Sequence, residues 1–195
     1  AAICLGASID LDVFNTVASP QNSYTFSWVS IDDASGFPID TLTGANQQGI
    51  TPSAVGTYIY TATASDPTSV LGNCSAVAYQ TVTVNPNPVA DFSTVDVCED
   101  LMVPFTNNSS IIDGSNLTYN WDLGDNTIFS GSLISHLYSP AGAYTVTLIV
   151  TSTNGCTDTV IHTANVFPLP TASFQVNYAC VNSAAAFDDQ STVPN

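Results

Sequence analysis

The sequence predicts an all-β protein built from tandem β-sandwiches that short proline-rich linkers join. The first observation is the alternation of side chains in segments such as residues 58–64 and 144–150, which is typical of half-buried strands. In both segments we expect every other residue to face a core. The second observation is that no segment has the apolar face of an amphipathic helix. The third is a set of landmarks that recurs along the chain and indicates repeated units.

These landmarks divide the chain into two full units and the opening of a third. Pro, Ala and Phe precede Cys98 by ten, eight and six residues, and they precede Cys180 at the same three offsets. We therefore predict three repeats: repeat 1 at 1–86, repeat 2 at 87–167, and repeat 3, the first strands of an incomplete domain, at 168–195.

The segments between the repeats are rich in proline. Prolines alternate with other residues at 85–88 and again at 167–170, which predicts short, stiff linkers. Repeat 1 begins only a few residues before Cys4. We therefore expect repeat 1 to lack the strand that opens the other two repeats.

Charge is the most unusual feature of the composition. All 16 charged residues are Asp or Glu, none is Lys or Arg, and the formal net charge is −16 at pH 7. Nucleic acid phosphates are bound mainly by Lys and Arg, so we expect no nucleic acid partner. An anionic membrane surface repels such a chain, and no apolar run reaches the length of a membrane span, so we expect no membrane insertion.

Residues 121–150 contain the most specific motif. The segment opens with Trp-Asp-Leu-Gly-Asp-Asn, continues through His-Leu-Tyr, and reaches its last strand after Pro-Ala-Gly-Ala-Tyr. It resembles the PKD (polycystic kidney disease) family of immunoglobulin-like β-sandwiches, whose pattern is Trp-Asp-Phe-Gly-Asp-Gly, then His-x-Tyr, then Pro-Gly-x-Tyr-x-Val-x-Leu. Here Leu123 replaces the Phe, Asn126 replaces the second Gly, and Ala141 is an extra residue. Because Asn tolerates left-handed backbone, we expect the turn to form.

The resemblance implies structural roles for nine residues of repeats 1 and 2. Two of them, Asp122 and Asp125, are expected to cap backbone amides of their own turn. In repeat 1 the Trp-Asp-x-Gly-Asp turn is absent after the Trp, so that repeat is PKD-related rather than a PKD domain proper. The nine residues are Trp28, Trp121, Asp122, Gly124, Asp125, His136, Tyr138, Gly142 and Tyr144.

Five cysteines without zinc-type Cys-x-x-Cys spacing predict disulfides and an oxidising compartment. Repeats 1 and 2 each contain one early and one late cysteine. The spacing therefore predicts two bonds within the repeats, Cys4–Cys74 and Cys98–Cys156. Free buried thiols are the alternative.

We predict no catalytic site. The two histidines, His136 and His162, have no second ligand at close spacing, and His136 occupies the structural His-x-Tyr position of the family. No Gly-x-Ser-x-Gly motif of a serine hydrolase is present. A sandwich also offers no cleft for the paired carboxylates of a glycosidase.

Acidic residues near Cys98 could hold calcium, the one cofactor that we consider. Asp96, Glu99 and Asp100 are close in sequence, and calcium takes carboxylate and carbonyl oxygens. Some PKD-like domains bind calcium. Capping of backbone amides is the alternative role for these carboxylates.

Two short patterns mark candidate glycosylation sites. Asn108 and Asn116 lie in Asn-x-Ser/Thr sequons. Thr41 and Thr159 lie in Asp-Thr-apolar triplets that resemble the O-glycosylation acceptors of Bacteroidota. Both patterns also arise by chance in a chain so rich in Thr.

These features predict a secreted or cell-surface protein without catalytic activity. Tandem PKD-like units whose endings read Gly-Cys-Thr-Asp-Thr look like large surface proteins of Bacteroidota, in which they form stalks, adhesive arrays or fibres. The alternative is a substrate-binding or spacer module of a secreted hydrolase, for which an exposed row of aromatic side chains would be expected.

The expected partners follow from the two incomplete ends. They are neighbouring repeats of one longer chain, or like subunits of a filament in which the tail of one subunit completes the next. A surface polysaccharide or a protein is a further expected ligand.

Overall fold

The computed structural model describes residues 1–12, 25–32, 38–43, 46–66, 74–131, 133–178 and 180–194; for residues 12, 25–32, 38–43, 46–48, 66, 74 and 133 the description covers the backbone alone. The described part of the chain contains seventeen β-strands and no α-helix. No helix long and apolar enough to cross a membrane therefore occurs in it. The predicted all-β class is confirmed.

The described part of repeat 1 contains seven strands. Five of them form one sheet in the order β1-β7-β6-β3-β4, and the remaining two, β2 and β5, pair with each other. The strands are β1 Ala2–Cys4, β2 Ile9–Asp12, β3 Thr25–Asp32, β4 Pro38–Thr43, β5 Asn46–Ile50, β6 Gly56–Asp66 and β7 Cys74–Asn85.

The core of repeat 1 follows the predicted alternation. Tyr58, Tyr60 and Ala62 of β6 are buried, while the intervening residues are only partly covered. On β7, Val82 and Val84 are buried beside them, and the core also includes Leu11 of β2. An alternating strand buries one face because successive side chains point to opposite sides of the sheet.

In the described residues of repeat 2, eight strands form two sheets. One sheet has the order β13-β10-β8 and the other the order β12-β11-β14-β15-β9. The strands are β8 Phe92–Thr94, β9 Val97–Cys98, β10 Val103–Asn107, β11 Leu117–Asp122, β12 Ile128–Ser130, β13 Leu133–His136, β14 Gly142–Ser152 and β15 Thr157–Phe167.

The core of repeat 2 lies between these two sheets. Every other residue of β14 faces it as predicted: Val146, Leu148 and Val150 are fully buried, and Tyr144 is half-buried. The opposite sheet and the neighbouring strands contribute large side chains. They include Phe92, Val103, Phe105, Trp121, Leu123, Ile134, Tyr138, Ala164 and Val166.

Repeat 3 is a hairpin-like pair of antiparallel strands, β16 Phe174–Asn177 and β17 Ala186–Asp189. Its register matches that of β8 and β10 at a constant spacing of 82 residues, the distance from Cys98 to Cys180. Phe105 pairs with Thr94, and Phe187 pairs with Val176. The isolated bridges outside these strands, Val89–Ser110 and Thr171–Thr192, keep the same spacing.

The chain divides into two compact units. The first comprises Ala1–Asn87, Ile111–Ser115 and Ser152–Cys156. The second comprises Pro88–Ser110, Asn116–Thr151 and Thr157–Asn195. The turn between β14 and β15, which includes Cys156, therefore belongs to the first unit.

Candidate functional site: the acidic turn and the cysteines

The Trp-Asp-Leu-Gly-Asp-Asn segment forms a turn that its own carboxylates cap. Asp122 Oδ1 accepts a hydrogen bond from the Gly124 amide at 3.0 Å, and Asp125 Oδ1 accepts one from the Thr127 amide at 3.0 Å. Asn126 has a positive φ of 72°, so the Asn does take the left-handed position of the family's Gly. The predicted capping roles of both aspartates are confirmed.

Gly124 is required because the turn lies directly against β14. Its φ is +80°, and a Cβ atom built on it would lie 2.4 Å from the carbonyl oxygen of Thr145. A real Cβ does not approach a backbone oxygen so closely. The glycine therefore serves both the left-handed conformation and the close packing of turn on strand.

His136 and Asp125 form a clasp across the turn. His136 Nε2 lies 2.6 Å from Asp125 Oδ2, and both side chains are about one-fifth exposed. Partial burial acts to raise the pKa of Asp125, but the hydrogen bonds to His136 and Thr127 outweigh it and hold that pKa below its ordinary value. The His136 ring also packs edge-on against Tyr138 at 4.6 Å. These contacts support the structural role predicted for His136.

Two stacked tyrosines of the motif lie next to the clasp. The rings of Tyr138 and Tyr144 stack with centroids 4.1 Å apart. Tyr138 is buried and its hydroxyl donates to the Leu123 carbonyl at 2.9 Å. Burial, together with the charge of Asp125, raises the pKa of the Tyr138 hydroxyl above its ordinary value. The Tyr144 hydroxyl bonds the carbonyl of Pro140.

Trp121 is the aromatic anchor of repeat 2. It is 1% exposed, its Nε1 donates to the Gly131 carbonyl at 2.9 Å, and its ring meets Phe92 edge-on at 4.9 Å. In repeat 1, Trp28 lies in β3 opposite Ala62, and its side chain is outside the described atoms. Gly142, which is also part of the motif, begins β14 opposite Val166.

The disulfide pairing differs from the prediction. Cys4 is bonded to Cys156, with a Cα–Cα distance of 5.5 Å and a sequence separation of 152 residues. Cys98 is a free, exposed thiol. The predicted bonds Cys4–Cys74 and Cys98–Cys156 are therefore wrong, although Cys4 and Cys156 are both in a disulfide. The side chain of Cys74 lies outside the described atoms.

Strand direction explains the error. In repeat 1, β1 runs parallel to β7 and places Cys4 opposite Asn85, at the far end of the strand that Cys74 begins. In repeat 2, β9 runs parallel to β15 and places Cys98 opposite Phe167. Eleven residues of strand separate the late cysteine from that end in both repeats, which is about 36 Å at 3.3 Å per residue. A disulfide requires Cα atoms within about 7 Å.

All three early cysteines, Cys4, Cys98 and Cys180, open the same tight turn, which we call the cysteine turn. The cysteine carbonyl accepts a hydrogen bond from the amide three residues later, at 2.9–3.3 Å. The residue two after the cysteine has a positive φ, as position three of a type II turn requires. Those residues are Gly6, Asp100 and Asn182, with φ of 88°, 66° and 72°.

The cysteine turn was missed from the sequence, although a signal was present. Each early cysteine is followed two residues later by Gly, Asp or Asn, the residues that best accept left-handed backbone. In repeats 1 and 2 the turn is also fixed to the last strand. Leu5 donates its amide to Asn85 at 2.9 Å, and Glu99 donates its amide to Phe167 at 2.8 Å.

The carboxylates predicted to hold calcium do not gather around one point. Asp96 Oδ1 accepts hydrogen bonds from the backbone and side chain of Asn165, at 3.3 and 3.1 Å. Glu99 Oε1 accepts from the Ala141 amide at 2.7 Å, while Asp100 occupies the left-handed position of the cysteine turn. Within the described ranges, no three His, Cys, Asp or Glu side chains could share a metal ion. The described structure therefore does not bring the predicted calcium ligands together, because Asp96 and Glu99 bond amides of different segments.

Three of the four candidate glycosylation residues are exposed. They are Asn108, Asn116 and Thr159, the last on β15. The side chain of Thr41, in β4, lies outside the described atoms. Asp158, which precedes Thr159, accepts a hydrogen bond from the Ala90 amide at 2.8 Å and so has a structural role. Glycosylation at all four positions stays a prediction.

Comparison with known proteins finds a matching family and several relatives of part of the chain. The sequence model of the PKD domain family matches residues 85–167. The pre-pro-metalloprotease PrtV of two Vibrio cholerae O1 strains is 35% identical over 97 residues, which cover 47% of this chain. The alignment spans only 10% of those curated relatives. The Bacteroidota resemblance stays a prediction.

Two solved domains have similar sequences. The PKD1 domain of Vibrio anguillarum Epp is 36% identical, with 42% of this chain and 95% of that domain covered and a TM-score of 0.38. The PKD1 domain of the Vibrio cholerae metalloprotease PrtV is also 36% identical, with 41% and 96% covered and a TM-score of 0.37. Because the family model matches residues 85–167, this part of the chain belongs to the PKD domain family.

Proposed function

We propose that this chain is a non-catalytic structural module of an extracellular protein, in which disulfide-stapled repeats form a stalk or spacer. The observation that carries the proposal is the Cys4–Cys156 bond, which joins a residue of repeat 1 to a residue of repeat 2. A domain that merely packs a core needs no covalent link to the next repeat. Such a link is useful where a tandem chain must keep its length under load.

The size of the closed loop supports a mechanical role. The bond encloses 152 residues of sequence separation, and closing a loop of that length stabilises the folded chain by about 5 kcal/mol in the chain-entropy treatment. Under tension the enclosed segment cannot extend while the bond is intact. At roughly 3.3–3.6 Å per residue, about 500 Å of chain is withheld.

The disulfide and the charge composition support an extracellular location. Disulfides persist in oxidising surroundings outside the cytosol. The charge of −16 without any basic residue keeps neighbouring molecules apart and disfavours random association. The partners that fit this role are neighbouring repeats of the same polypeptide or like subunits, with a surface polysaccharide or protein as the ligand of an adhesive array.

A second candidate function is an accessory module of a secreted protease. Two matches favour it: the metalloprotease PrtV is 35% identical over 97 residues, and the PKD1 domain of PrtV is 36% identical. In this role the repeats would hold a catalytic domain at a distance from a surface or substrate. A catalytic domain in the same polypeptide would favour this second role, whereas many further repeats would favour the stalk.

Force spectroscopy tests the stapled stalk. The chain is pulled from tags at its two termini, in a background with Cys74, Cys98 and Cys180 replaced by Ser, so that Cys4 and Cys156 are the only thiols. We expect the unfolded length to increase by about 500 Å after reduction. The matched control adds Cys4→Ser and should give the long extension with or without reductant. An oxidised chain that extends as far as the reduced one would contradict the proposal.

A further inference from the structure

The three cysteine turns differ in one chemical respect. Cys4 is bonded, whereas Cys98 and Cys180 are free and exposed. An exposed free thiol is unusual in a protein whose other features indicate an oxidising compartment. The two free cysteines are therefore candidates for disulfides with other cysteines.

Their backbone settings are equivalent to that of Cys4. All three cysteine carbonyls accept the same turn hydrogen bond, from Ala7, Leu101 and Ser183. Cys4 and Cys98 are also in the same parallel register with the last strand of their repeat.

The setting of Cys180 matches that of Cys98 in further contacts at the 82-residue spacing. The Asp91 amide donates to Ser109 Oγ, and the Ser173 amide donates to Ser191 Oγ. These shared contacts make Cys98 and Cys180 structural copies of one position, and the shared turn relates both to Cys4.

The disulfide partner of Cys4 indicates which kind of cysteine an early cysteine pairs with. Cys156 follows Gly155 in the turn between the last two long strands of repeat 2, and the turn is closed by hydrogen bonds between Ser152 and Cys156. The bond thus joins the early cysteine of one repeat to the late cysteine of the next. The late cysteine of repeat 1 is Cys74, the first residue of β7.

We propose that Cys98 and Cys180 form the same bond one repeat further along, so that successive repeats are linked by a ladder of disulfides. Each early cysteine bonds the late cysteine of the following repeat. That repeat is either the next one in a longer polypeptide or repeat 1 of a second copy, whose late cysteine is Cys74. This inference rests on the proposed function in one respect: the protein must be in an oxidising compartment.

Pairing within repeat 2 does not compete for Cys98. The late cysteine of its own repeat, Cys156, is already bonded to Cys4. It also lies at the opposite end of β15, about 36 Å from the residue that faces Cys98. The exposed thiol is therefore available to a cysteine from outside repeat 2.

The chemistry is a two-electron oxidation by thiol–disulfide exchange. The Cys98 thiolate attacks an external disulfide oxidant such as glutathione disulfide, forms a mixed disulfide and releases one thiol. The thiolate of the late cysteine then displaces the second thiol and forms the protein disulfide. The two protein thiols lose two protons and two electrons, and the oxidant leaves as two thiols.

Oxidation of the purified chain tests pairing between copies. The chain carries Cys180→Ser, so that Cys98 and Cys74 are the thiols outside the Cys4–Cys156 bond, and it is treated with glutathione disulfide at high protein concentration. We expect a ladder of disulfide-linked oligomers on a non-reducing gel and a Cys98–Cys74 peptide by mass spectrometry. Added Cys98→Ser or Cys74→Ser should each limit the product to dimers, since one thiol per copy remains.

A second arm tests pairing within one polypeptide. Residues 86–167 are duplicated directly after Phe167, which gives Cys98 a following repeat with its own late cysteine. A bond from Cys98 to that added cysteine supports the proposal through the covalent route, and a Cys98–Cys74 ladder supports it through the route between copies. Cys98 that is fully alkylated in both arms, or found mainly in Cys98–Cys98 dimers, overturns it. Either overturning result leaves the Cys4–Cys156 staple, and with it the proposed function, intact.

Discussion

Replacement of Gly124 by Ala is the sharpest test of how the PKD motif stabilises repeat 2. The residue has φ of +80°, and an added Cβ would lie 2.4 Å from the Thr145 carbonyl oxygen and 3.0 Å from the Thr145 nitrogen. Left-handed backbone costs a non-glycine residue about 1–2 kcal/mol. The contact adds a further cost of roughly 1–3 kcal/mol, because both obstructing atoms are backbone and either the turn or β14 must move.

Gly114 provides the matched control. Its φ is +71°, and a Cβ there would meet no atom within 4 Å. Gly114→Ala therefore carries only the backbone cost of about 1–2 kcal/mol. The difference between the two variants isolates the packing of the acidic turn on β14.

Urea unfolding measures this difference. Far-ultraviolet circular dichroism follows the strands of both compact units, because Gly114 belongs to the first unit and Gly124 to the second. With a slope of about 1–3 kcal/mol per molar urea, Gly124→Ala should lower the midpoint by roughly 1 M more than Gly114→Ala. Equal midpoints for the two variants would refute the close contact between the turn and β14.

Three further predictions concern the tyrosines, the clasp and the net charge. Tyr138→Phe should lower the free energy of unfolding by about 1–3 kcal/mol because it leaves the Leu123 carbonyl unpaired, and Tyr144→Phe, whose hydroxyl bond is exposed, should cost less. The folded pKa of Asp125 lies below its ordinary 3.8, so its stabilisation is complete above that value and is lost as pH falls through the folded pKa. Asp125→Asn should therefore lower Tm at pH 5 and show a smaller drop of Tm toward pH 2; an unchanged acid profile would contradict the clasp. Raising NaCl from 0.01 to 1 M shortens the Debye length from about 30 to about 3 Å, so the Tm of this chain of charge −16 should rise. Calcium at matched ionic strength should add nothing, and a calcium-specific gain in Tm would contradict the positions of Asp96 and Glu99.

Local sequence patterns predicted most features of the fold. Alternation along β6 and β14 identified the buried faces, because the side-chain period of a strand depends only on neighbouring residues. The acidic turn could be predicted for the same reason, since Asp122 and Asp125 bond amides two residues away. The left-handed Asn126 also followed from an intrinsic preference of its side chain.

Contacts between residues far apart in the sequence could not be predicted from local patterns. The disulfide prediction assumed that cysteines of one repeat meet, but the parallel direction of β1 and β9 sends each early cysteine to the end of the last strand. Spacing alone does not encode strand direction. The predicted calcium ligands are likewise not brought together, because Asp96 and Glu99 are neighbours in sequence but bond Asn165 and Ala141 on different segments.

Disulfide mapping of the native chain tests the central claim, that a covalent bond joins repeats 1 and 2. The protein is alkylated and digested without reductant by a protease that cuts at acidic or aromatic residues, because trypsin has no Lys or Arg to cut after. Mass spectrometry should find one linked peptide pair containing Cys4 and Cys156. Linked pairs Cys4–Cys74 and Cys98–Cys156 in its place would contradict the stapled repeats and the function built on them.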